Sequence, residues 1–120
     1  GVVITDSKTT PMKWGVTGTS LAHCGFAELR DERGTLDLFG RPLRVTTIGV
    51  AQALAAAAVY EMGEAAEQTP FCVIEEIRAI DFQDHEPAEE ELASVRISLE
   101  EDVFAPILTS APWQRGKSGR

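Results

Sequence analysis

Alanine fills positions 55 to 58, no proline interrupts the stretch from Thr46 to Met62, and Gly63 follows it. Alanine gives up no side-chain entropy in a helix, and a glycine just past the last turn readily takes the left-handed conformation that ends one. A helix is therefore predicted from about Thr46 to Met62. Leu54, Ala55, Ala58 and Met62 fall on one face, with Gln52 and Glu61 away from it. So many small side chains imply a very close approach to whatever lies beneath, a sheet or a partner helix.

The remaining segments supply strands and turns. Val2-Val3-Ile4 is a β-branched run that stops at Thr5-Asp6-Ser7, which predicts a buried strand with polar residues at its C-terminal end. Lys8 to Gly15 contains Pro11 and has no period, so a loop is expected. Val16 to Leu29, with Gly18 and Gly25 among small and apolar residues, suits one or two strands with close backbone approaches. Arg30 to Gly34 reads as a turn, and Leu36 to Leu43 as a compact segment. Pro70 to Ile77 is expected to form another strand. Past Arg78 the pattern fails, weak order returns from Leu99 to Leu108, and the tail from Trp113 is expected to be loose apart from that tryptophan. The fold class is α+β: a mixed or mostly antiparallel sheet packed on one long alanine-rich helix. A core over 1–77 precedes an acidic, mobile excursion over 78–98 and a short closing element with a loose tail over 99–120. A chain of 120 residues is one domain's worth, long enough to bury most of its apolar surface.

The net charge of -8 is unevenly placed. Eleven acidic residues against two basic ones lie between Glu75 and Asp102. Such a stretch repels nucleic acid, which excludes readers of DNA or RNA backbones; its simplest role is a solvated surface. No apolar run approaches the roughly 20 residues that cross a bilayer, and no secretory signal is visible. Cys24 and Cys72 lack metal-like spacing and read as reduced thiols of a cytoplasmic protein. His23 and Cys24 point opposite ways on a strand, so packing is the preferred reading there. His85 is expected in solvent, and Trp14 as a packed aromatic rather than a cover for a ligand. No Ser-His-Asp set, Walker-type glycine loop or zinc spacing is present, so a hydrolase or P-loop nucleotidase has no support.

One ordered series carries more. Val3-Ile4-Thr5-Asp6-Ser7, the glycines Gly15, Gly18 and Gly25, Asp31-x-x-Gly34-x-x-Asp37-Leu38-Phe39-Gly40-Arg41, and Met62-Gly63-Glu64 occur in that order. At these spacings they resemble the C-terminal half of the gamma-glutamyl ligases acting on coenzyme F(420)-0. The resemblance runs from about Gly1 to Ile77 and resumes briefly around Ser98 to Phe104. Asp37-Leu38-Phe39-Gly40-Arg41 and the helix ending in Met62-Gly63-Glu64 are its most specific parts.

The resemblance implies a ligase that uses GTP to form an acyl phosphate on its acceptor, which the amino group of L-glutamate then attacks. It also implies a divalent metal, Mn²⁺ or Mg²⁺, an intertwined homodimer, and an N-terminal half not present in this chain. Carried over by position, Asp6, Ser7 and Glu64 match metal-binding positions. Lys13, Gly15, Asp37, Arg41, Gly63 and Glu64 match a nucleotide- or substrate-binding set, with Arg41 the strongest cation because it belongs to the motif. No catalytic residue is assigned. Read from the residues alone, a turn cap is the preferred reading of Asp6, and Asp37 with Arg41 is equally an ion pair around a tight turn. Hard divalent ions do favour carboxylate and hydroxyl oxygens, often with only one or two carboxylates from the protein.

The departures are specific. The loop after the first strand reads Thr9-Thr10-Pro11-Met12-Lys13-Trp14, keeping one cation where the family carries guanidinium forks. After Glu64 the family's glycines are replaced by Ala65, Ala66 and Gln68, which restricts how backbone amides approach phosphate. Two functions follow. One is a portion of a nucleotide- and metal-dependent amide-forming ligase whose acceptor is the deazaflavin F(420)-0, a folate or another carboxylate, the isolated chain having no independent catalysis. The other is a non-catalytic descendant kept for dimerisation or ligand binding.

Overall fold

A computed structural model describes residues 1–114 of the chain. Its architecture is α+β, with every paired strand antiparallel. The strands form two separate two-stranded sheets and not the single sheet expected.

Strands β1 (Val2–Thr9) and β2 (Val16–Cys24) form a hairpin in which Val2 pairs with Cys24 and Thr9 with Val16. The register shifts once, between Ile4 and Thr5. β1 therefore runs through Asp6 and Ser7 instead of stopping at them, and the expected loop from Lys8 shrinks to residues 10–15. Thr5 and Thr9 are β-branched, and backbone pairing with β2 carries the strand past its apolar start. Strands β3 (Leu29–Asp31) and β4 (Thr47–Gly49) pair next, and an excursion from 32 to 46 joins them.

Helix α1 (Val50–Met62) follows β4 directly. Its start is later than Thr46, because Thr47–Gly49 are taken by pairing with β3. Val50 N–H donates to Glu28 O at 2.8 Å, fixing the entry. Gly63 ends the helix at φ 80°, its N–H donating to Val59 O at 3.0 Å. Val50, Ala51, Ala55 and Val59 form the buried face. Gln52 does not turn away as expected. Its Oε1 accepts the Thr19 hydroxyl at 2.9 Å and Ser20 N–H at 3.3 Å. Further along, Ala55 and Val59 lie on Gly18, so α1 runs toward the turn end of the hairpin.

Pro70 to Ile77 is not a strand: no partner edge is offered to it. Beyond it Phe26 bridges Phe82, and Ala27 N–H donates to Asp81 O at 2.9 Å, tying the later chain to the core. The excursion from 78 is partly helical, with α2 at Glu89–Ser94, where Glu91 reaches back to accept Ala88 N–H at 2.8 Å. Helix α3 (Ala105–Ser110) falls in the segment of weak order. Trp113 is exposed, its Nε1–H donating to Leu108 O, and the rest of the expected tail, 115–120, lies outside the described residues. Among the described residues no helix is long and apolar enough to cross a membrane.

The core is small. Phe26, Val50 and Ala51 are buried, with Val3, Ile48, Leu54 and Ile80 packed around them. The accessible surface is 10521 Å², against about 6,300 Å² for a closed monomer of this mass. The radius of gyration is 17.2 Å, against roughly 14 Å for a compact chain of this length. The expectation that most apolar surface is buried therefore fails.

Candidate functional site

A cleft of about 860 Å³ opens between β1, α1 and the segment from Pro70 to Phe82. Thr5 and Met62 both line it, and they immediately precede Asp6 and Gly63. The fold thus brings the neighbours of two segments far apart in sequence to one cleft, while Asp6, Ser7, Gly63 and Glu64 are themselves not among its lining residues.

Along β1 exposure alternates, with Val2, Ile4 and Asp6 exposed and Val3, Thr5 and Ser7 half-buried. Asp6 and Ser7 accordingly project to opposite faces. Asp6 Oδ1 accepts Ser7 N–H at 2.8 Å and its carboxylate is otherwise open to solvent. Glu64 is exposed just beyond the helix cap. Among the described residues no three His, Cys, Asp or Glu side chains gather as a metal-holding group. Asp6 fits the smaller share that Mg²⁺-like sites take from protein, one or two carboxylates beside water and phosphate.

The stretch after Gly63 is closed by its own side chain. Glu67 Oε2 accepts Ala65 N–H at 2.8 Å, and the same carboxylate lies where a Cβ on Gly63 would stand. An anion approaching these amides would have to displace Glu67. Thr69 Oγ1–H donates back to Met62 O at 2.5 Å, and Gln68 sits at φ 57°. Lys13 and Gly15 lie in the exposed hairpin turn, where Lys13 N–H donates to Thr10 O at 3.2 Å and Gly15 has φ 99°. Trp14 in that turn is fully exposed and packs on nothing, contrary to expectation.

Asp37 and Arg41 sit on the excursion between β3 and β4. No hydrogen bond or ion pair links them to Asp6, Ser7 or Glu64 among the described residues. The side-chain ion pair, one of two readings for Asp37 and Arg41, does not form; Asp37 Oδ1 instead accepts the backbone N–H of Arg41 at 2.8 Å. The real ion pairs of this region are elsewhere. Arg33 grips Asp31 through Nε and Nη2, and this guanidinium, aided by Arg33 N–H, holds the Asp31 carboxyl down to about 2. Arg30 Nε stands 2.7 Å from Glu32 Oε1, an ion pair without hydrogen-bond alignment.

His23 is packed in the fold. Its ring lies 5.3 Å from Phe26, centroid to centroid, and Nδ1 is 3.3 Å from Glu28 Oε2. Cys24 and Cys72 are both free, and His85 is exposed. Residues that the sequence reasoning missed include Gln52 and Glu67. Gln52 shares a helical face with Ala55 and Val59, so its position was the available signal; nothing in sequence marked Glu67.

Comparison with known proteins adds a family. The family model described as F420-0:Gamma-glutamyl ligase matches residues 1–76. The coenzyme F420:L-glutamate ligase of Methanopyrus kandleri is 43% identical over 70 residues, 58% of this chain and 28% of the relative. That of Methanocaldococcus jannaschii is 40% identical over 74 residues, covering 62% and 30%. The Halobacterium salinarum protein of the same name is 38% identical over 90 residues, covering 75% and 34%. The chain spans about a third of the length of these relatives.

Proposed function

This chain belongs to the F420-0:Gamma-glutamyl ligase family, and from that premise we propose that it is one portion of an amide-forming ligase. The observation that carries this reading is that Thr5 and Met62, which directly precede the matched Asp6-Ser7 and Gly63-Glu64, line one cleft. The acceptor's carboxylate takes the γ-phosphoryl group of GTP, releasing GDP and leaving an acyl phosphate. The amino group of L-glutamate attacks the acyl carbon, loses a proton, and expels phosphate as the amide forms. The acceptor is F(420)-0 or a similar carboxylate.

Asp6 and Glu64 would hold a divalent ion, Mn²⁺ or Mg²⁺, that would neutralise charge on the phosphoryl group. Ser7, whose side chain projects to the other face of β1, would not share that ion without a change in the strand. Arg41 and Lys13, neither paired with a carboxylate among the described residues, face a phosphate or substrate carboxylate. The remaining ligands come from the family's N-terminal portion and from a second subunit of a homodimer. The large exposed apolar surface supports both as covering elements. The two free cysteines suit a cytoplasmic setting.

The test is turnover by the complete protein with GTP, Mn²⁺, L-glutamate and a panel of carboxylate acceptors including F(420)-0. Metal-dependent phosphate release with a glutamylated product, abolished in Asp6→Ala, supports the reading; no metal-dependent GTP turnover with any acceptor sinks it.

One observation favours a second reading, a non-catalytic binding or dimerisation role. Glu67 occupies the Ala65 amide that phosphate would need. On that reading Asp6→Ala leaves ligand affinity unchanged, and a large loss in that variant refutes it.

A further inference from the structure

We propose that Asp37 is a positioning residue whose carboxylate holds the turn that presents the Arg41 guanidinium to an anionic oxygen of a substrate. This rests on the reading of Arg41 as an anion contact and names what makes that contact possible.

Four arginines belong to β3 and the excursion that follows it: Arg30, Arg33, Arg41 and Arg44. Arg30 and Arg33 are neutralised by Glu32 and Asp31. Arg41 has neither a carboxylate nor any side-chain hydrogen bond among the described residues, and it is exposed. Asp37 is the nearest carboxylate in sequence, yet it turns to the backbone. One oxygen, Oδ1, accepts the N–H groups of Phe39 and Arg41, each at 2.8 Å. Asp37 N–H donates to Arg41 O at 2.8 Å, and Gly40 N–H to Asp37 O at 3.0 Å. Arg41 is thus anchored at both its N–H and its carbonyl. Leu36 bridges Pro42, and Leu43 N–H donates to Thr35 O at 2.8 Å, closing the base of the turn. Among the described residues Arg44 has no such anchors at its own backbone.

Three consequences follow from general chemistry. A guanidinium offers a planar fork that matches a carboxylate or phosphate through two parallel hydrogen bonds. Fixing its backbone beforehand lowers the entropy lost on binding. An aspartate spent on main-chain amides does not compete with the substrate for that fork. What Asp37 contributes is its acceptor oxygen, and its negative charge is dispensable. Asparagine retains the first and removes the second.

The test titrates magnesium GTP and, separately, L-glutamate into the full-length protein and its Arg41→Ala, Asp37→Asn and Asp37→Ala variants. Thermal unfolding without ligand and amide exchange at Phe39 and Arg41 accompany each titration. Arg41→Ala should weaken one of the two anions by about tenfold to a hundredfold. Asp37→Ala should weaken the same anion severalfold and speed exchange at both amides. Asp37→Asn should bind as tightly as the parent or more so, with both amides protected. Should Asp37→Ala fail to fold, Asp37→Gly, which also lacks an acceptor oxygen, replaces it with the same ordering.

Asparagine as damaging as alanine would overturn the inference, since the charge itself would then matter. So would normal binding in Asp37→Ala beside weak binding in Arg41→Ala, which leaves the anion contact standing without its support. If Arg41→Ala binds both anions normally, or the parent binds neither, the anion contact itself fails and the inference falls with it.

Discussion

Gly18 lies so close to α1 that a Cβ added to it would fall on the carbonyl of Ala55. The contact is backbone against backbone, so neither side can yield by rotating a side chain. Gly18→Ala should cost about 2–3 kcal/mol, and Gly18→Val should prevent folding. Thermal unfolding of the full-length protein measures the first, and soluble yield the second. A Gly18→Ala variant as stable as the parent would mean that the helix does not rest here.

Gln52 is the polar counterpart of that contact. It accepts from the Thr19 hydroxyl and Ser20 N–H, and its Nε2 donates to Ser20 O at 3.3 Å. Gln52→Ala should destabilise by about 1–2 kcal/mol. Combined with Thr19→Val, the two losses should be less than additive by about 0.5–1 kcal/mol, a coupling read from a double-mutant cycle.

Phe26 is 2% exposed and joins the core to the later chain through its bridge with Phe82. Phe26→Ala should cost about 3–4 kcal/mol. It should also speed proteolysis around Ile80 to Gln83 before the hairpin is cut, which limited digestion with mass spectrometry would reveal. Simultaneous cleavage of both regions would show that the bridge tethers nothing.

Acid should act on the turn at β3. The Asp31 carboxyl is held from its ordinary 3.8 down to about 2, first by the Arg33 side chain and then by its N–H. A carboxyl with a lowered folded value stabilises above its unfolded value and loses that contribution as pH falls through the folded one. The turn should therefore be intact at neutral pH and loosen between about pH 4 and 2, tracked by the Asp31 and Arg33 resonances. Asp31→Asn should remove that transition, and high salt should shrink it because the pair is exposed.

How far the sequence disclosed this depends on whether a signal was local. The end of α1 was legible because a glycine after an alanine run has few other uses, and φ 80° at Gly63 bears that out. Its start was not, because Thr47–Gly49 is drawn into a strand by a partner distant in sequence. The same reason explains Pro70 to Ile77: an apolar, β-branched run suggests a strand, but only a neighbouring edge makes one. Asp6 and Glu64 stood out through their motifs, whereas the cleft that Thr5 and Met62 line beside them depends on how α1 crosses β1. Asp37 was found for a different role, because sequence shows two opposite charges near one another and not which atoms a carboxylate faces.

The exposed surface carries a thermodynamic consequence. The steepness of a denaturant transition and the heat capacity of unfolding both scale with the surface newly uncovered when a chain comes apart. A chain that already shows water 10521 Å² has less left to uncover than a closed domain of equal length. By itself it should melt over a broad range of urea, with a shallow slope. Covering those apolar faces, as the proposed assembly would, should sharpen the transition and steepen its slope.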